Sequence, residues 1–241
     1  MNLVIDRGNT QVKLGIFDQC QLIRSDYFDF LDKKIISELS NCYNIDRIIV
    51  STVVQERHDE LIENLSQLNS NIIELNPTTP LPFEWLYHTK STIGKDRLAA
   101  VAGAISLYPE SNLLVIDAGT AITYELIDSN HVFLGGNISP GMAMRYKALN
   151  EFTSKLPLLH RENDTPLIGQ STKDAIQAGV QNGIIFEING LIDELSNQYQ
   201  SLKTIITGGD AEFFARKLKN PIFVHPNLVL IGLNRILEYN A

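Results

Sequence analysis

The chain has 241 residues and a mass of 27.0 kDa, room for one large domain or two of about half that length, with a core that needs neither disulfide nor metal. A hydrophobic fraction of 44% and a charged fraction of 20% exclude wholesale disorder. Acidic residues outnumber basic ones 28 to 20, for a net charge of −8 with no basic run, which argues against nucleic acid as a partner.

In chain order, Leu3–Ile5 is a short apolar strand running into a Gly turn, and Val12–Phe17 follows it with a β-type alternation. Leu31 to Tyr43 carries Leu31, Ile35, Leu39 and Cys42 at helical spacing, Ile48–Val50 is a buried strand, and Glu56–Leu68 is helical through Leu61, Ile62, Leu65 and Leu68. After the strand Ile72–Leu75, the prolines of Asn76–Pro82 forbid regular structure. Asp96–Tyr108 reads as an alanine-rich buried helix.

The second half opens as the first did. Leu114-Val-Ile-Asp117-Ala-Gly-Thr120 repeats the device of Leu3-Val-Ile-Asp6-Arg-Gly-Asn-Thr10: apolar strand, terminal aspartate, Gly turn, second strand. Val132–Leu134 then runs as a strand into Gly135–Gly141, and a long helix begins at Thr172, the expected N-cap, with Ile176, Val180, Ile184, Ile188, Leu191, Leu195 and Tyr199 on one stripe. Thr204–Thr207 is a strand ending in Gly208-Gly209, and Asp210–Leu218 a short helix. The pattern predicts an α/β chain of two pseudo-repeated lobes, residues 1–110 and 111–241, each starting with a β-hairpin.

Cys20 and Cys42 lack C-x-x-C spacing, so neither a disulfide framework nor a zinc site is indicated. Met1–Arg7 has no basic n-region, and Leu98–Leu107 is too short to span a bilayer. A soluble protein of a reducing compartment, the cytoplasm, is expected.

Three constellations carry chemistry. In Asp6–Lys13 a Gly turn brings backbone N–H groups to an anion, Asn9, Thr10 and Lys13 add donors, and Asp6 suits Mg²⁺; the plain alternative is a hairpin turn. Asp117-Ala-Gly-Thr120 duplicates that loop, so the pair could clamp a polyphosphate and its metal, or be duplicated turns in a duplicated fold. In Gly94-Lys95-Asp96-Arg97, Asp96 reads as a general base or as a helix N-cap, and Arg97 as an anion fork. Gly208-Gly209 leaves room for a flat ring or ribose. Trp85 and Tyr87 stay open between lining a pocket and plugging the core, and the scattered histidines read as surface or loop residues.

Five motifs in register carry a resemblance over residues 2 to about 232: Asp6-x-Gly-Asn-Thr10…Lys13, Gly94-x-Asp-Arg97, Asp117-Ala-Gly-Thr120-Ala-Ile-Thr123, Gly135-Gly-Asn-Ile-Ser-Pro-Gly141 and Thr172…Ala175-Ile176…Gly179. The set closely resembles type III pantothenate kinase, of the acetate kinase, sugar kinase, heat-shock ATPase and actin superfamily. The resemblance implies two ribonuclease-H-like lobes of mixed sheet plus helices with ATP in the cleft between them. It implies transfer of a phosphoryl group from ATP to the terminal hydroxyl of pantothenate, the first step toward coenzyme A. By the same resemblance, Asp6, Arg7, Gly8, Asn9, Thr10, Gln11, Val12 and Lys13 bind the ATP phosphates, with Thr120 as a second contact. Asp96 is the catalytic base, and Tyr87, Gly94, Lys95, Asp96, Arg97 and Thr172 form the pantothenate site, Thr172 across a homodimer interface. Asp117 ligates a monovalent cation, potassium or ammonium, needed besides Mg²⁺. Lys95 stands where the family often has a small residue. A regulatory binding role on the same scaffold is disfavoured by the Asp96-Arg97 pair and the charge of −8.

Overall fold

The computed structural model describes residues 1–8, 11–54 and 56–241. In chain order the first elements are β1 (Asn2–Arg7), β2 (Val12–Asp18), β3 (Gln21–Phe28), α1 (Lys33–Cys42), β4 (Arg47–Thr52), α2 (His58–Ser66) and β5 (Asn71–Glu74). After the two-residue β6 (Glu84–Trp85) and a 3₁₀ turn at Lys90–Thr92 comes α3 (Lys95–Leu107). The second half comprises β7 (Leu113–Ala118), β8 (Ala121–Ile127), β9 (Val132–Pro140), α4 (Met142–Glu151) and α5 (Thr172–Gln198), then β10 (Lys203–Thr207), α6 (Ala211–Ala215), β11 (Ile222–Val224) and α7 (Leu228–Tyr239).

Two compact units result, Met1–Pro109 with Asn227–Ala241, and Glu110–Pro226. In the first, the sheet order is β3-β2-β1-β4-β5, with β1–β2 and β2–β3 antiparallel and β1–β4 and β4–β5 parallel. In the second, the run β9-β8-β7-β10-β11 repeats those directions strand for strand. The duplicated Leu-Val-Ile-Asp segments are the central strands β1 and β7, buried on both faces, which is why they read as unbroken apolar runs. Two mixed sheets with helices are the expected fold class.

Each core follows from side-chain alternation. Leu3, Ile5, Val12, Leu14, Ile16, Ile48 and Val50 face Ile36 and Leu39 of α1 and Leu61 and Leu65 of α2. Burying each such side chain contributes about 1.5–3 kcal/mol. Asp32 starts α1 by accepting a hydrogen bond from the Ile35 N–H at 2.9 Å. In the second unit Ile176, Val180, Ile184, Ile188 and Ile192 of α5 face Leu114, Ile116, Ile122 and Tyr124.

Several expectations need correction. The last fifteen residues, assigned with residues 111–241 to the second lobe, belong to the first unit. α7, not anticipated from the sequence, buries Leu228, Leu230, Leu233, Ile236 and Leu237 there. β3 was also missed, because an edge strand that leaves most of its residues exposed carries no apolar run. β9 continues past Leu134 to Pro140, since Gly135 and Gly136 pair with Leu126 and Glu125. Ser171, not Thr172, caps α5: its Oγ accepts from the Asp174 N–H at 3.1 Å.

α3 is buried from Arg97 through Ile105, on every side, as its alanine content requires. It meets α7 backbone to backbone. A Cβ on Gly232 would run into the Ala99 carbonyl, and one on Gly103 into the Leu228 carbonyl. Amides tie α7 to the sheet as well: Asn2 Nδ2 donates to Asn234 Oδ1 at 2.9 Å, and Asn234 Nδ2 to the Gln19 carbonyl at 2.9 Å. Alanine is the better helix former by about 1 kcal/mol, yet Gly232→Ala should destabilise the protein by about 2–3 kcal/mol, because overpacking against a helix backbone outweighs propensity. Urea unfolding checks this through a lowered midpoint at unchanged slope; an equal or higher midpoint would show that the helices can separate freely.

Candidate active site

The first constellation lies on the β1–β2 hairpin. Asp6 pairs in register with Lys13, and Arg7 with Val12; the Gly8 N–H donates to the Gln11 carbonyl at 3.1 Å and closes the turn. Asn9 and Thr10, expected phosphate donors, lie outside the described residues. Asp6 is also in register with Ser51 on β4, and Lys13 with Tyr27 on β3. A row Tyr27–Lys13–Asp6–Ser51 therefore crosses one face of the sheet. The Lys13 ammonium stands over the Tyr27 ring at 5.3 Å, which holds the charge near the hairpin.

Alternation turns Arg7 and Val12 to the opposite face. Val12 is part of the core, so only its backbone is available to a ligand. Arg7 is buried with its guanidinium 5.7 Å from the Phe30 ring, and Gln11 is exposed. Ser51 was not singled out from the sequence, since it ends a buried strand. Its hydroxyl is fully buried beside Asp6 without a hydrogen-bond partner among the described residues.

The second constellation opens α3. Gly94 occupies the N-cap position, with Lys95 and Asp96 the first two helical residues, so Asp96 does not cap the helix. Instead Asp96 Oδ1 accepts from the Arg97 N–H at 2.9 Å, and the positive end of the helix favours the carboxylate. A Cβ at position 94 would collide with that oxygen. Arg97 is 5% exposed. Its guanidinium carbon lies 5.4 Å from the Tyr87 ring centroid, with Nη1 at 3.5 Å from the Tyr87 hydroxyl. Tyr87 and Arg97 are thus brought together. Trp85, stacked under Lys90 at 4.8 Å, borders a hollow of about 560 Å³ walled by Pro77–Leu81, Phe83 and Glu84, so it lines a pocket.

In the second unit Asp117 stands at the end of β7, in register with Thr123 and Thr207. Gly208 follows β10 with φ +94°, a conformation glycine adopts without strain, and a Cβ there would strike the Asp117 carboxylate and the Ala118 carbonyl. Gly141 leaves no room for a Cβ against the Gly119 and Thr120 carbonyls. Its N–H donates to the Thr120 carbonyl at 3.1 Å, while the Gly119 N–H donates to Ala121 at 3.0 Å. Thr120 is exposed. Oxygen donors of this kind suit a hard cation. No described group of three His, Cys, Asp or Glu could cage a metal, so a divalent ion would need ligands from its substrate and water.

Gly209 borders a hollow of about 520 Å³ with Arg161, Phe213, Arg216 and Lys217. Asp210 pairs with Arg161 at 3.0 Å; burial raises its carboxyl pKa, and the arginine opposes that rise. The Phe213 ring lies within reach of both Arg161, at 5.2 Å, and Lys217, at 5.1 Å. The stretch 155–166, which carries no motif, is held by its backbone: His160 O accepts from Gln177 at 3.0 Å and Asn163 O from Lys217 at 2.6 Å. Thr172 sits exposed on the first turn of α5.

The sequence model of the type III pantothenate kinase family matches residues 2–194. Proteins named type III pantothenate kinase from Phocaeicola vulgatus and Bacteroides fragilis are 46% and 44% identical over 240 residues, covering all of this chain and 99% and 98% of theirs. Among solved structures, a Campylobacter jejuni protein described as a candidate Baf family transcriptional activator aligns with TM-score 0.65 at 24% identity, covering 99% of this chain and 98% of that one. The activator of 2-hydroxyisocaproyl-CoA dehydratase from Clostridium difficile, with bound ADPNP, aligns with TM-score 0.56 at 12% identity over 99% and 94%. The structural likenesses show the fold; the sequence matches show the family. The chain belongs to the type III pantothenate kinase family.

Proposed function

We propose that this chain transfers the γ-phosphoryl group of ATP to the terminal hydroxyl of pantothenate, giving 4′-phosphopantothenate at the first step of coenzyme A biosynthesis. The observation that carries the reading is the Gly94–Arg97 turn in a chain of this family: a carboxylate fixed at a helix start beside a buried guanidinium stacked on Tyr87. Asp96 accepts the hydroxyl proton as the phosphoryl group arrives. Its orientation is set by the Arg97 N–H, and Gly94 keeps that rotamer open. Arg97 and Tyr87 hold the polar groups of pantothenate, and Lys95 adds a positive charge at the same turn. Little covalent chemistry is asked of the protein, since phosphoryl transfer rests on positioning and neutralised charge.

Phosphate contacts fall to the Gly8 turn, Lys13 and Thr120, and the hollow beside Gly209 takes the base or ribose. Mg²⁺ bound with ATP neutralises charge on the phosphates, and Asp6 would hold it through water. Asp117, with Gly208 leaving space around its carboxylate, would hold potassium or ammonium. Ile138, Phe152, Leu167, Ile168 and Phe186 are more than half exposed, a rich apolar surface for one unit. On α5, Gly179, Gly183 and Gly190 share a helical stripe with Phe186 and present open space. We assign this face to a second copy of the chain, which brings Thr172 to pantothenate. No described helix is long and apolar enough to cross a membrane.

Three outcomes are expected. Asp96→Asn should lower kcat about a thousandfold with little change in KM, as loss of a general base does; coupled ADP release checks it, and near-full activity would remove Asp96 from the chemistry. Asp117→Asn should raise the potassium concentration needed for half-maximal rate severalfold, whereas a wild-type rate indifferent to potassium and ammonium would remove the cation. Phe186→Glu should shift sedimentation velocity from dimer to monomer and raise KM for pantothenate; a dimer unaffected by the charge would move the interface elsewhere.

A further inference from the structure

Arg145 combines an ion pair with two further side-chain hydrogen bonds, and nothing in the proposed reaction uses it. It lies one turn into α4, its own N–H bonded to the Gly141 carbonyl at 3.0 Å. Its side chain folds back on the end of β9. Nε donates to the Pro140 carbonyl at 2.8 Å, and Nη2 to Ser139 Oγ at 2.7 Å and to Glu187 Oε2 at 2.6 Å. Glu187, on α5, accepts from the Tyr124 hydroxyl at 2.7 Å through its other oxygen. Burial pushes the Glu187 carboxyl up, but bonds from Arg145, Tyr124 and Ser139 outweigh it and hold the group below the usual carboxylate range. The carboxylate is therefore charged at neutral pH and fully engaged.

The bonded atoms lie where β9 ends against the β7–β8 turn. Ser139 and Pro140 pair with Ile122 and Ala121, and the Gly141 N–H bonds the Thr120 carbonyl. Because Gly141 already fills its space against Gly119 and Thr120, movement at 139–141 passes directly into that turn. Two helices and the end of one strand thus meet at one planar guanidinium, whose pre-organised fork fits acceptors set apart along its edge better than the compact charge of an ammonium.

We infer that Arg145, anchored by Glu187, is a positioning residue that holds the Gly119–Thr120 turn in its phosphate-binding conformation. This rests on the assignment of Thr120 to the ATP phosphates. Arg145 touches no substrate; it fixes the wall behind the turn, so its removal weakens nucleotide binding more than it slows the transfer.

The test is steady-state kinetics with ATP varied, on Arg145→Gln, Arg145→Lys and Glu187→Gln, with thermal unfolding of each. Arg145→Gln should raise KM for ATP about tenfold, the loss of charge-assisted hydrogen bonds, while kcat at saturating ATP changes less. Arg145→Lys should recover part of the loss, and Glu187→Gln, which keeps an oxygen for Tyr124, should fall between. KM for ATP unchanged in Arg145→Gln, or losses in all three that only follow the fraction folded, overturns the proposal. Should Arg145→Gln fail to fold, the other two variants carry the same comparison. A wild-type protein without pantothenate-dependent turnover fails the kinase reading instead. Calorimetric titration with Mg–ADP then decides separately: weaker binding by the variants supports the role of Arg145, and equal binding overturns it.

Discussion

At several points the chain is so close to itself that only a hydrogen fits between one backbone and the next, and these contacts place what matters. α3 and α7 meet through Gly103 and Gly232, and α3 carries Asp96 and Arg97 on its first turn. The position of that turn therefore depends on a helix drawn from the end of the chain. In the second unit Gly141 and Gly208 bring the β9 end and the β10 end against the β7–β8 turn, with Asp117 and Thr120 in the enclosed segment. Such packing gives little room to drift, because a shifted backbone meets carbonyl oxygens rather than flexible side chains.

The duplicated sheet explains why carboxylates recur at equivalent places. A central strand buried on both faces tolerates a charge only where it leaves the sheet, and Asp6 and Asp117 stand near those ends. Each is followed by an antiparallel hairpin, so the carboxylate stands beside a tight glycine-containing turn. The combination serves anions and hard cations alike. The units differ in what braces the turn: a sheet row with Lys13 and the buried Ser51 in the first, Gly208 and the Arg145 cluster in the second.

Much of this was legible in the sequence for definite reasons. Leu3–Asp6 and Leu114–Asp117 announced the two hairpins because fully buried strands must be continuously apolar, and the alanines after Asp96 announced a helix packed on all sides. Asp96, Arg97 and Asp117 could be singled out because each lies within three residues of a glycine at an element boundary. β3 could not, since an exposed edge strand needs no pattern. The return of α7 to the first unit was equally invisible: its apolar residues would suit either core, and contacts such as Gly232 with Ala99 and Asn234 with Asn2 show which. Ser51 and Arg145 escaped because a serine closing a strand and an arginine in an ordinary helix carry no local signature. Their meaning lies in neighbours far along the chain, Asp6 for one and Glu187 for the other.

The central claim is that this fold delivers a phosphoryl group to one particular hydroxyl. Pantothenate offers two, a terminal primary one and a secondary one, so identifying the product is the most direct test. Purified protein with ATP, Mg²⁺, potassium and pantothenate should yield a single monophosphorylated product by mass spectrometry, with phosphorus–proton coupling in the nuclear magnetic resonance spectrum to the terminal methylene. ATP consumed without phosphorylated pantothenate, or phosphate found on the secondary hydroxyl, would contradict the account.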